Sequence, residues 1–221
     1  KHSYLFLIRY CQKRNRMQIL DRNKINQVSV DTEFFPFFHI ENVFSSNTEA
    51  SSLTEDFPEI DRGGSFPTEK LSDGILKDLI QELEGNEFKS LLEEKFNIDL
   101  ANSEVVTTLR GYSRAKDGQI HTDSTTKILT VLLYLNIDWK NNEGNLRLLK
   151  ENNNLENTIK EISSEFGNLI AFKVTENCWH GFRAFEGKRL SIQLNYIHPN
   201  SLSSHNLRHR ISSIFKNLLK R

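Results

Sequence analysis

Cysteine is scarce: Cys11 and Cys178 are the only two in 221 residues. A disulfide scaffold is excluded. No charge of one sign prevails, since 29 Lys and Arg meet 29 Asp and Glu. Without a cationic surplus, nothing draws the whole molecule to nucleic acid or to an anionic membrane. Long hydrophobic runs are missing too. Ile128–Leu135 is among the longest, far short of the roughly 20 residues that span a bilayer. There is no internal repeat. Gly63-Gly64 is followed by no lysine of a phosphate loop, and no His-Glu-x-x-His helix offers a zinc hydrolase centre. What remains is 37% hydrophobic and 26% charged, the composition of a globular chain. Fifteen Phe favour a packed, β-rich interior.

The first sixteen residues hold Lys1, Arg9, Lys13, Arg14 and Arg16 and no acid, and the only methionine is Met17. Their apolar stretch Tyr4–Ile8 is too short for a secretory core. Residues 1–16 are expected to be a peripheral extension. Residues 17–200 are expected to form one domain.

Phe34–Ile40 reads as an aromatic strand interrupted by Pro36, and therefore as an edge strand. Ser45–Thr54 and Asp61–Pro67 read as polar loops. Leu71, Ile75, Leu79, Ile80 and Leu83 recur at helical spacing up to Gly85, and Glu87–Phe96 repeats the pattern. After residue 104 the period becomes two. Val105–Leu109, Lys127–Ile137, Asn145–Leu149, Asn168–Val174 and Arg189–Ile197 read as strands. Helices first and strands later predict an α+β fold, with a β-sandwich or barrel in the later half. Residues 201–221 carry Leu207, Ile211, Ile214, Phe215 and Leu218 among basic residues. They are expected to form an amphipathic helix packed on the domain.

His121-Thr-Asp123 directs an imidazole and a carboxylate the same way on an extended chain. His180 lies just beyond the strand Asn168–Val174. Two His and one carboxylate at the open end of a β-barrel make the facial triad of non-haem Fe(II) sites, with three positions left open. The last strand alternates Arg189, Ser191, Gln193 and Asn195 with Leu190, Ile192, Leu194 and Tyr196. A polar inward face suits a wet ligand cavity rather than a dry core. Arg189 in such a cavity needs an anion, and its planar fork fits a carboxylate. Cys178 reads as a small buried hydrophobe rather than a ligand.

The ordered set His121-Thr-Asp123, Thr130–Asn136, Gly144–Leu149, Gly167–Phe172, His180 and Arg189 resembles the 2-oxoglutarate/Fe(II)-dependent dioxygenases, in their prolyl-hydroxylase-like branch. The likeness spans about Val105 to Ile197. It implies a double-stranded β-helix (jelly roll) over about 105–198, with the N-terminal helices as support. It implies Fe(II) on His121, Asp123 and His180, and 2-oxoglutarate chelated there with its far carboxylate on Arg189. Tyr134 and Tyr112 match tyrosines that line that pocket in the family. Where relatives carry a hydroxyl four residues after the arginine, this chain has Gln193, and Ser191 could substitute. The implied reaction hydroxylates an amino-acid, prolyl-peptide or small-metabolite substrate with O₂, releasing succinate and CO₂. Ascorbate is a further candidate cofactor. The rival is an inert jelly-roll module that binds metal or a partner. Arg114 and Arg183, in loops at the open mouth, are the candidate substrate contacts. Asn195 stands where nucleobase demethylases of the superfamily carry a second arginine, so nucleic acid is disfavoured. A membrane is disfavoured as well, and the oligomeric state is left open. Iron chemistry with so little cysteine suits a reducing cytoplasm.

Overall fold

The computed structural model describes residues 18–69 and 71–199. The expected extension at 1–16 and the amphipathic helix expected at 201–221 lie outside the described residues. Four short helices and nine strands follow in chain order. These are α1 Arg22–Gln27, β1 Phe37–Ile40, α2 Ala50–Glu55, β2 Phe66–Pro67, α3 Ile75–Leu83 and α4 Asn86–Phe96. Then come β3 Glu104–Ser113, β4 Lys127–Tyr134, β5 Leu146–Leu149, β6 Thr158–Ile162, β7 Leu169–Lys173, β8 His180–Gly181 and β9 Gly187–Ile197. Among the described residues no helix is long and apolar enough to cross a membrane.

The strands form two antiparallel sheets. The larger has the order β1-β7-β4-β9-β3-β2, the smaller β6-β5-β8. This is an α+β chain with a double-stranded β-helix. Period two in β9 divides the molecule into its two interiors. Leu190, Ile192, Leu194 and Tyr196 pack outward with Leu79, Leu83, Leu92 and Phe96 of α3 and α4. Phe38 of β1 stacks on Phe96, ring centroids 5.6 Å apart. The opposite face of the large sheet contributes Tyr134, Ile170 and Phe172, which meet Leu146, Leu148 and Ile162 of the small sheet. Cys178 is fully buried in this second cluster.

The helices therefore support the sheet from outside. Leu79 is 0% exposed. Leu79→Ala is expected to cost about 2–5 kcal/mol through lost burial and a cavity. Urea unfolding of the two proteins measures it, and a loss well under 1 kcal/mol would contradict the supporting role.

Local details depart from the sequence pattern for identifiable reasons. The aromatic strand starts at Phe37, just after Pro36, and β7 is its one neighbouring strand at the sheet edge, with a single bridge from Phe37 to Asp31 on the other side. The stretch expected to be a loop contains α2, which buries Leu53 completely. Ser and Thr in ASSLTE conceal the helix, because they compete for backbone partners. Gly85 precedes α4 as its N-cap, and Asn97 closes that helix in the left-handed region at φ 47°. Gly74 stands before α3. A side chain there would collide with the Asp56 carboxylate, which accepts a hydrogen bond from the Leu76 amide at 3.3 Å. Strands β6 and β8 are too short or too polar to show period two.

Candidate metal centre

His121 and His180 exchange two backbone hydrogen bonds, His121 N–H to His180 O at 3.0 Å and His180 N–H to His121 O at 2.9 Å. That bridge sets their rings 4.3 Å apart between centroids. Each Nδ1–H donates to a carbonyl two residues back, Gln119 O for His121 and Cys178 O for His180, both at 2.8 Å. A carbonyl only accepts, so Nδ1 carries the proton and Nε2 keeps its lone pair. Asp123 completes the group. One donor atom from each of the three lies within 4.8 Å of the others.

The carboxylate is held on both oxygens. Lys127 Nζ donates to Oδ1 at 2.7 Å and Thr130 Oγ1 to Oδ2 at 2.5 Å. Each oxygen retains another lone pair. Burial pushes the Asp123 carboxyl up. Lys127 and His180, with the hydrogen bonds from Lys127 and Thr130, outweigh it and hold the group below its ordinary value. His180 moves down to about 4, first through burial and then through the neighbouring His121 charge. A neutral imidazole, an anionic carboxylate and two free Nε2 atoms are the donor set a divalent iron takes.

The low value at His180 has a consequence for the metal-free protein. Its ordinary value is 6.5, so as pH falls the unfolded chain takes the proton first. The stabilisation is fully present above 6.5 and is lost as pH falls toward about 4. It amounts to about 3 kcal/mol at most. Denaturant melts across this range should fall less steeply for His180→Asn than for the wild type. Parallel curves would contradict the assignment.

Arg189 lies on β9 of the large sheet, 7% exposed. Its Nε donates to Gly144 O at 2.8 Å and to Ser164 Oγ at 3.1 Å, and Nη2 donates to Tyr134 OH at 3.3 Å. Its guanidinium stacks between rings, 4.4 Å from Phe182 and 5.0 Å from Tyr134. No carboxylate among the described residues pairs with it. A buried cation so placed keeps donors for an incoming anion. Ser191 is buried directly across from Tyr134. Burial pushes the Tyr134 phenol up, against the opposing pull of Arg189 and Arg110.

Three other expected residues are found elsewhere. Continued register would put Tyr112 opposite Arg189. A shift between β3 and β9 at Arg110/Tyr112 sets it opposite Lys188 instead. Tyr112 lines a cavity of about 380 Å³ with Phe57, Ile60, Lys188 and Leu190. No hydrogen bond joins it to Arg189 among the described residues. Arg114 is clamped to Asp117 through Nε at 3.2 Å and Nη2 at 2.7 Å. Arg183 is clamped to Glu156 at 3.0 and 2.6 Å. Neither presents a free guanidinium.

The pattern gave no sign of Ser164, Gly144 or Phe182 around Arg189, because all three come from turns. Lys127, which the sequence pattern shows only as the start of a strand, is the partner of Asp123. Arg110 follows the expected end of its strand, although period two from Val106 and Thr108 leads to it. Its backbone lies directly across from Ser191.

Residues 108–197 match the family model of the 2OG-Fe(II) oxygenase superfamily. The match spans less than half of the chain, and over that segment the chain is similar to this superfamily, whose name carries 2-oxoglutarate and Fe(II); His121, Asp123 and His180 form a donor set for such a metal. The fold is similar to that of a prolyl 4-hydroxylase from Phytophthora capsici, with a TM-score of 0.53 at 14% identity over 85% of this chain and 69% of that one. A Pseudomonas putida prolyl-4-hydroxylase gives 0.46 at 16% identity over 59% and 70%. The viral collagen prolyl hydroxylase of Paramecium Bursaria Chlorella virus-1, in its 2OG complex, gives 0.48 at 12% over 76% and 97%. No curated protein matches the chain significantly.

Proposed function

We propose that this chain is a 2-oxoglutarate- and Fe(II)-dependent dioxygenase that hydroxylates a small-molecule or peptide substrate. The observation that carries this reading is the convergence of the His121, Asp123 and His180 donors together with a buried arginine of β9 that no acid among the described residues pairs. His121, Asp123 and His180 are assigned to the iron, and Arg189 to the far carboxylate of 2-oxoglutarate. Tyr134 and Ser191 flank that carboxylate.

When bound, iron with 2-oxoglutarate supplies O₂ activation, with succinate and CO₂ as by-products. The chain supplies position and protection. Gln119 O and Cys178 O fix the imidazole tautomers. Lys127 and Thr130 keep Asp123 ionised and oriented. Phe182 and Tyr134 cover the Arg189 guanidinium and limit water around it. An inert module would have no need of this set of supports.

Succinate release measured across a panel of amino acids, prolyl peptides and small metabolites tests the reading. Iron-dependent release that one class of compound stimulates is expected. No iron-dependent consumption of 2-oxoglutarate under any condition would contradict it.

A further inference from the structure

The inner face of the large sheet carries a second guanidinium. Arg110 of β3, Ser191 of β9 and Tyr134 of β4 are direct cross-strand partners, so they share one row. Arg189 leans on Tyr134 from the same side. Arg110 has no hydrogen bond and no ion pair through its side chain among the described residues. The acids nearest to it in charge are Asp117 and Asp123, and both are taken, Asp117 by Arg114 and Asp123 by Lys127. Its surroundings desolvate it, and the nearby Arg189 charge disfavours it further. It nevertheless stays open to solvent. Two like charges with no anion between them are unfavourable unless a ligand supplies one.

The two arginines differ in access. Arg189 is buried beneath Phe182 and Tyr134, where a co-substrate's far end can be enclosed. Arg110 is exposed and meets what arrives later, from solvent. Charge balance points the same way. Around the site Arg110, Arg189 and Lys127 face the one carboxylate of Asp123. A divalent iron and a dianionic co-substrate cancel each other, so the cationic excess survives their binding. It favours an anionic substrate over a neutral one.

We propose that Arg110 binds the carboxylate of the substrate, and that the substrate is a small carboxylic acid of the amino-acid or uronic-acid type rather than a residue inside a peptide chain. This rests on the oxygenase reading above and narrows it. A guanidinium recognises a carboxylate by two parallel hydrogen bonds, which a neutral amide cannot reproduce.

The test is ligand-observed NMR on the full chain loaded with Zn(II) and 2-oxoglutarate. The probes are the proteinogenic L-amino acids and D-glucuronate, each beside its primary amide, and Ala-Ala-Pro as free acid and as amide. Binding of one or more small acids is expected, with their amides at least about tenfold weaker. Arg110→Gln should weaken the bound acid at least about tenfold, and Arg110→Lys should weaken it less. Arg22→Gln removes one positive charge on α1 and should leave the acid's affinity unchanged. The proposal is overturned if amides bind as well as acids, if no acid binds, or if only the tripeptides bind. It is also overturned if Arg110→Gln keeps the acid and loses 2-oxoglutarate, which would assign Arg110 to the co-substrate. Binding of 2-oxoglutarate to the Zn(II)-loaded wild type is read in the same samples. Its absence would sink the oxygenase reading and leave the acid-against-amide comparison standing.

Discussion

Replacing His180 with alanine is expected to lower Fe(II) affinity by about 100-fold or more, and turnover with it. The magnitude follows from how the site is built. Among the described residues three protein donors converge, so removing one leaves two, which cannot complete a face of the coordination sphere. His180 is the most buried of the three to offer an imidazole, and its Nδ1–H is committed to Cys178 O. Among the described residues no further His, Cys, Asp or Glu is grouped with the three to replace its Nε2. His121→Ala should behave alike, although His121 is more exposed. Equilibrium dialysis with Fe(II) under anaerobic conditions measures the loss. Circular dichroism separates it from unfolding. A folded His180→Ala protein with undiminished iron affinity would remove His180 from the centre.

The second large effect belongs to Arg189. Arg189→Ala should raise the 2-oxoglutarate concentration needed for half-saturation by roughly 10- to 100-fold, the scale of hydrogen bonds to a charged group. Iron affinity should change little, because Arg189 makes no contact with His121, Asp123 or His180 among the described residues. Arg189→Lys keeps the charge but loses the fork. Its single ammonium cannot reach Gly144 O, Ser164 Oγ and Tyr134 OH while also presenting two parallel donors. An intermediate defect is therefore expected. Titrating 2-oxoglutarate into the three iron-loaded proteins measures all of this. Unchanged half-saturation in Arg189→Ala would end the role assigned to this residue.

The legible part of the fold followed from period. The alternation in Arg189–Ile197 predicted which residues face the helices and which face the interior, because a half-buried strand cannot mix them. The helical spacing of Ile75, Leu79 and Leu83 located the outer support in the same way. Where a segment buries one or two side chains, as α2 does with Leu53, there is no period to read. The donors His121, Asp123 and His180 could be named from sequence because residue type and order carry the chemistry. Their tautomers could not, because these depend on carbonyls brought near by turns. Tyr112 shows the limit most plainly. The resemblance alone named it, and a single extra residue in the β9 pairing sets it opposite Lys188. Arg114 and Arg183 show another limit. A cation in a loop reveals nothing of its partner until the chain is folded, and both had one three or 27 residues away.

The most direct test of the account is spectroscopic. Anaerobic protein is given Fe(II) and then 2-oxoglutarate, and visible absorption is recorded. If His121, Asp123 and His180 hold the iron and Arg189 orients the 2-oxo acid, a charge-transfer band appears on adding 2-oxoglutarate, saturates at one equivalent, and is absent in His180→Ala. A wild-type protein that stays colourless at saturating Fe(II) and 2-oxoglutarate would contradict it.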